Sequence, residues 1–523
     1  IMKKLLVTTL VLLAINAQAE SVFRRSNGSE PKSIDPQLAT ENAGSAIIYD
    51  NFEGLTTTNA KGEVIPGVAE KWEVSDDGKI YTFHLRDNAK WSNGEPVTAD
   101  DFVYAWQRAV NPATGGEYAF ILYPVKNAEA IASGQEKNLE ALGIKALDGR
   151  TLQVELNYPT PYFPGLMTHY TTYPVPRKTV EQLGDKWTRP EHIVSNGAYH
   201  LSEWKPQASI TAEKSPTYWN HDHVAIDKVI YYPIEQESTA FNRYRAGEVD
   251  YVESLSPESL EIAKKEYANQ LHIEPFLATY WIGFNLTKPP FKDNPKLREA
   301  LTLAIDRTVI TEKILKAGQI PAYGLVPPST HNSDPYQPEY SKLDRKEQIA
   351  RAQALYAEAG YSKEKPLKVS IIYNTSDAHK KIMVAVAAMW KQVLGVQTEL
   401  NNQEWKVMLA NMAQKDDQAY RYSWNGDYDD PYTFLEIFQQ NSEVNYSGYQ
   451  NPAYDAQLKE AAATPDLAAR AKLLQAAEKT VIDDYAVAPL YHYVTVRLLK
   501  PQFKGYAGNA LGIVRTQDLH IEP

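Results

Sequence analysis

Leu367 to Leu400 reads L-K-V-S-I-I-Y-N-T-S-D-A-H-K-K-I-M-V-A-V-A-A-M-W-K-Q-V-L-G-V-Q-T-E-L. Leu367 to Tyr373 alternates with the period of a strand, and Asn374 to Asp377 supplies a capped turn. Ile382 to Leu394 has the spacing of a helix, and Val396 to Leu400 returns to strand. Strand, helix, strand at this spacing is a βαβ unit. It places parallel strands in a sheet and the chain in the α/β class. Upstream, Asn294-Pro295 reads as the cap and first position of a helix with Leu297, Ala300, Leu301 and Ala304 on one face.

Downstream, Arg421 to Pro431 reads R-Y-S-W-N-G-D-Y-D-D-P. Asp427, Asp429 and Asp430 sit among Tyr422, Trp424 and Tyr428, and Asn425-Gly426 is a turn dipeptide that accepts positive φ. The expectation is a loop presenting acid beside flat apolar faces. That suits a ligand with one cationic end and variable apolar parts, such as a peptide. A solvated acidic loop over ordinary core aromatics is the competing reading.

The first residues, I-M-K-K-L-L-V-T-T-L-V-L-L-A-I-N-A-Q-A, combine a basic start, an apolar run and a small-residue cleavage site. They read as a secretory signal peptide over 1–19, with the mature chain beginning at Glu20. No cysteine occurs at that junction to carry a lipid, or anywhere in the 523 residues. A soluble protein in a Gram-negative periplasm is the expectation. The length calls for two or three domains. The net charge of −11 argues against nucleic acid and anionic membranes as partners.

Between these landmarks, Val68 to Arg108 is densely punctuated. Asp76-Asp77-Gly78 is a turn, and Lys79 to Arg86 alternates as a half-buried strand. Asn93-Gly94 is a second turn, and Thr98 caps a helix that takes Phe102, Val103 and Trp106 on its apolar face. The run W-S-N-G-E-P-V-T-A-D-D-F-V-Y-A-W at Trp91 to Trp106 resembles the signature of the peptide and nickel family of ABC-transporter solute-binding proteins. S-N-G-A-Y at Ser195, S-P-T-Y-W-N at Ser215, R-Y-R-A-G-E-V-D-Y at Arg243, P-P-F-K-D-N-P-K-L-R-E-A-L-T-L-A-I-D-R at Pro289 and L-Y-A-E-A-G-Y at Leu355 resemble successive family landmarks.

The resemblance implies a two-lobed periplasmic-binding-protein fold with an inserted domain and a hinge between lobes. One lobe would comprise 20–51, 176–277 and 495–523, the inserted domain 52–175 and the second lobe 278–494. It implies capture of short oligopeptides between the lobes, delivery to an inner-membrane ABC permease, a monomer, and no cofactor, metal or catalysis. Asp427 matches the family's ammonium-binding Asp. Trp424 and Trp405 match aromatic pocket walls, though either could be plain core, and Tyr118 falls near a pocket Tyr. His379 matches a His that reaches peptide carboxylates, or is a surface His at a helix start. Arg421 matches an Arg near the ligand carboxylate, or pairs with Asp429 or Asp430. Asn374 is a further pocket candidate.

The sequence also departs from the family. Close oligopeptide binders join by a disulfide the positions that align with Ala278 and Asn425. Their absence leaves Asn425 able to line a polar pocket. Leu315 stands where relatives place a Lys, beside Lys316. A murein-tripeptide branch remains an alternative, although the Arg it uses aligns with Met412. Metal or haem binding is a lesser one, with His221-Asp222-His223 the tight His pair. Neither G-x-S-x-G, H-E-x-x-H, a Walker loop nor G-x-G-x-x-G occurs.

Overall fold

The computed structural model describes residues 18–523. The predicted export segment therefore lies, but for its last two residues, outside the described residues. Among those residues, one mixed sheet runs through most of the molecule. Its edge-to-edge order is Gln397–Gln403, Lys368–Asn374, Ala419–Asn425, Leu271–Phe284, Val487–Leu499, Tyr251–Val252, Val22–Ser26, Lys228–Tyr232, Ser209–Lys214 and Tyr199–Lys205. The βαβ unit forms as expected. Lys368–Asn374 pairs in parallel with Gln397–Gln403, joined by the helix Asp377–Leu394. That helix buries Ile382, Met383, Val386, Trp390 and Leu394, and the Ser376 hydroxyl accepts from the His379 N–H to cap it.

Two strands are much longer than the rest. Leu271–Phe284 and Val487–Leu499 run antiparallel through the middle of the sheet. Their register breaks between Pro275 and Thr279, so the ladder is interrupted halfway. Two large cores pack on the sheet, and the larger of them reaches across the long pair to Ile372 and Trp424. One holds Tyr280, Ile282, Ile371 and Trp390; the other holds Phe23, Tyr199, Val229 and Tyr231. The molecule is two-lobed, with the long pair as its bridge.

Residues 69–155 carry a separate antiparallel sheet, in the order Ala69–Val74, Ile80–Leu85, Thr151–Glu155, Ile144–Asp148. Tyr81, Phe83 and Leu85 point inward while Ile80 is exposed. Gly78 and Gly94 take the positive φ their turns require. The helix Ala99–Val110 has a capping box between Thr98 and Asp101. It buries Phe102, Ala105 and Trp106 and leaves Val103 half-exposed, because Ala105 occupies the centre of the apolar face. The Asn294-capped helix, Pro295–Leu303, forms with Leu297, Ala300 and Leu301 buried.

Contacts cross between the lobes. The Ser376 hydroxyl donates to Glu237 at 3.0 Å. Lys381 pairs with Glu258. Asn441 donates to Glu129 at 2.8 Å. Among the described residues no helix is long and apolar enough to cross a membrane.

Candidate functional site

The expected acidic loop begins as a strand. Ala419–Asn425 is hydrogen-bonded on both sides, so only residues after Asn425 turn out of the sheet. Neither Asn425 nor Gly426 has positive φ. The Gly426 N–H instead donates to the Leu277 carbonyl at 2.7 Å, extending the ladder beyond the strand. Alternation then sets the chemistry. Arg421, Ser423 and Asn425 face one side, and Tyr422 and Trp424 the other.

Asp427 lies where this strand ends. Its N–H donates to Thr433 Oγ1 at 3.1 Å, and the Trp424 indole donates to the same oxygen at 3.2 Å. Thr433, fully buried, therefore fixes the carboxylate beside the indole. Across the cleft, His169 Nε2 is 3.3 Å from Asp427 Oδ1. His169 Nδ1 accepts from the Thr171 N–H at 3.2 Å, so in the neutral ring the proton sits on Nε2, facing the acid. The Tyr118 ring is 5.0 Å from His169 and 6.5 Å from Trp424, nearly parallel to the latter. Burial, then the charge of Asp427, push the Tyr118 phenol well above its ordinary value. Asp427 Oδ2 is buried and has no hydrogen-bond partner. The site is thus an anion with one free oxygen, walled by Tyr118, Trp424 and His169.

A second cluster lies back along the strand, roughly 13 Å from its end at the usual rise per residue. Arg421 is 5% exposed. It donates to Asn374 Oδ1 at 3.1 Å, Ser423 Oγ at 3.0 Å and the Tyr493 hydroxyl at 2.9 Å, with its guanidinium 4.6 Å from the Tyr280 ring centre. Its Nε has no partner. No carboxylate among the described residues pairs with it. Asp430 is taken by Arg470, and Asp429 contacts His331 at 2.5 Å. The alternative in which Arg421 bridges Asp429 or Asp430 is therefore excluded by geometry. His379 is half-buried, with Nδ1 3.3 Å from the Tyr280 hydroxyl. Burial and the neighbouring Arg421 drive its imidazole well below its ordinary value.

Two further candidates stand apart. Trp405 opens the helix Trp405–Ala413 and packs half-buried against the core. Asn425 reaches across to Asn42 Oδ1 at 3.4 Å. The register places Ala278 directly opposite Asn425. Met412 is fully buried and carries no charge. Leu315 is buried, while Lys316 is exposed at a left-handed turn whose carbonyl accepts from Lys264. His221–His223 is a short turn with His221 Nδ1 against the Ser215 carbonyl. Among the described residues no three potential metal-ligating side chains gather. His169, Thr433, Tyr280 and Tyr493 escaped the sequence reading. Each lies in an unremarkable run and is brought in only by tertiary folding.

Thr433→Val should test the support. It leaves the Asp427 N–H and the Trp424 indole without an acceptor, a loss of about 1–3 kcal/mol. We expect weaker ligand binding with a modest fall in melting temperature, read by titration calorimetry and thermal unfolding.

Residues 63–446 match the family model of the bacterial extracellular solute-binding proteins, family 5. The chain is 42% identical over 501 residues to the periplasmic oligopeptide-binding protein OppA of Escherichia coli K12, covering 95% of this chain and 92% of the relative. The structure of Haemophilus influenzae OppA in complex with the peptide RPPGFSPFR superposes with a TM-score of 0.91 at 40% identity, covering 96% and 99% of the two chains. The E. coli murein tripeptide binding protein MppA superposes at 0.92 with 39% identity, covering 96% and 98%. The unliganded open form of MppA reaches only 0.72 at 38% identity over 96% and 97%. The lobes here therefore do not have the open form's arrangement, in keeping with the cross-lobe contacts. By its sequence and its fold, the chain belongs to the bacterial extracellular solute-binding proteins of family 5.

Proposed function

We propose that this protein is the periplasmic receptor of an ABC importer, capturing short oligopeptides between its lobes and handing them to an inner-membrane permease. The observation that carries the reading is the free Oδ2 of buried Asp427 between aromatic walls. An unpaired buried carboxylate is costly, and a peptide α-ammonium relieves that cost. Arg421, with no acidic partner, supports capture of a carboxylate or peptide carbonyl farther along the strand. In this reading Trp424 and Tyr118 hold the first residue. His379, Asn374, Trp405 and Asn425 line the remainder.

The lobe limits are 20–51, 176–277 and 495–523 for the first and 278–494 for the second, with 52–175 inserted. The two crossings then fall inside the long strands Leu271–Phe284 and Val487–Leu499, near their register break. That is a place for hinge bending, because few ladder hydrogen bonds resist it. The protein acts as a monomer, makes no nucleic-acid contact and performs no chemistry.

Mass spectrometry of the small molecules released on denaturing periplasm-purified protein tests this. A mixture of short peptides supports the proposal and gives their length window. A single diaminopimelate-containing species would move the function to murein-peptide recovery. Metal, haem or sugar without peptide would overturn the peptide assignment.

A further inference from the structure

Glu436 is a buried acid to which the peptide reading gives no task. It opens the short turn Glu436–Phe438, nine residues beyond Asp427 in the chain. It is 9% exposed, and its buried Oε1 has no hydrogen-bond partner. Burial, then the charge of Asp427, raise its carboxyl well above the ordinary value, so the two acids face one another's field. Tyr428 and Tyr432 flank it on the same segment. Tyr123, Tyr158 and Tyr162 feel its charge from the inserted region across the cleft. The Tyr162 ring lies flat on Tyr428 at 4.6 Å and 6.2 Å from Tyr432. Arg470 faces the same tyrosines but is committed to Asp430 by hydrogen bonds of 2.7 and 2.8 Å.

Two carboxylates, each with one buried oxygen that lacks a hydrogen-bond partner, match a ligand with two positive charges. One is the α-ammonium at Asp427. The faces and hydroxyls of the surrounding tyrosines suit an ammonium or guanidinium head, with its alkyl stem against the rings. We propose that Glu436, framed by Tyr162, Tyr428 and Tyr432, forms a second cation subsite that selects peptides whose first residue is lysine or arginine. The inference rests on the peptide reading above. A Glu436 that merely stays protonated as packing would give no such selection.

The test is calorimetric titration of ligand-stripped protein with Lys-Ala-Ala and with norleucine-Ala-Ala, which match in length and differ in the side-chain charge. The wild type is expected to prefer the lysine peptide about tenfold or more. Glu436→Gln should bring that ratio near one, and Glu436→Asp should keep part of it. Equal affinities in the wild type overturn this inference alone, without need of a variant. A preference that survives in Glu436→Gln overturns it too, since the charge is then read elsewhere. No binding of either peptide by the wild type overturns the receptor reading and this inference together.

Discussion

Asp427→Ala is expected to lower affinity for short peptides at least tenfold while the fold remains intact. The variant leaves the ligand ammonium in a closed cleft without its counter-charge. Truncating one partner of a buried charge pair costs about 2–5 kcal/mol, much of it the cost of the stranded partner. His169 cannot take over, because its Nε2–H faces the ammonium as a donor or as a second positive charge. The fold should tolerate the change, since no described hydrogen bond ends on the Asp427 carboxylate and its backbone anchor to Thr433 is retained. Calorimetric titration with a tripeptide and with its N-acetylated form completes the argument. Acetylation should weaken binding to the wild type strongly and to Asp427→Ala hardly at all. If acetylation penalises both proteins equally, the ammonium is bound elsewhere and Asp427 leaves the site.

The sequence made some of this legible and left the rest dark for physical reasons. The βαβ unit at Leu367–Leu400 was readable because its period and caps are local. The helix after Asn294 was readable for the same reason. The Arg421–Pro431 stretch was misread as a loop because the Gly, Pro and acids of its second half are turn signals. The alternation in R-Y-S-W-N was the strand signal they masked. Asp427 and Trp424 could be picked out because they lie three residues apart in one motif. His169 comes from a region far earlier in the chain, and nothing in H-Y-T-T-Y predicts that one ring nitrogen faces an acid. His379 was placed correctly at its helix start, but the lowering of its imidazole follows from burial and then from the nearby Arg421, both tertiary facts.

The largest stability effect is expected at a pair that no local pattern joins. Arg470, on the helix Leu467–Asp483, grips Asp430 with two parallel hydrogen bonds, and the two side chains are 1% and 0% exposed. Arg470→Ala should destabilise the protein by about 3–5 kcal/mol, because it strands a carboxylate where water cannot reach it. Asp430 is also tied to the Tyr432 N–H at 3.0 Å, so it cannot swing out without unmaking the turn that carries Thr433. The double variant Asp430→Asn with Arg470→Met should be less destabilised than the sum of its single variants, since removing both charges removes the desolvation cost as well. Urea unfolding of the four proteins gives the coupling directly, and strict additivity would show that the pair is held by its surroundings and not by mutual attraction. The consequence reaches function through Tyr162. Its ring lies 5.2 Å from the Arg470 guanidinium and flat on Tyr428, so a residue from far earlier in the chain is seated on this ion pair. Such cation–ring and ring–ring contacts contribute about 0.5–1.5 kcal/mol each. In the hinge motion proposed above, these contacts break when the lobes part. Arg470→Ala should therefore weaken peptide binding beyond what the loss of stability explains, with the deficit appearing as faster ligand release. A variant that unfolds more readily yet releases ligand at the wild-type rate would confine Arg470 to holding its own lobe.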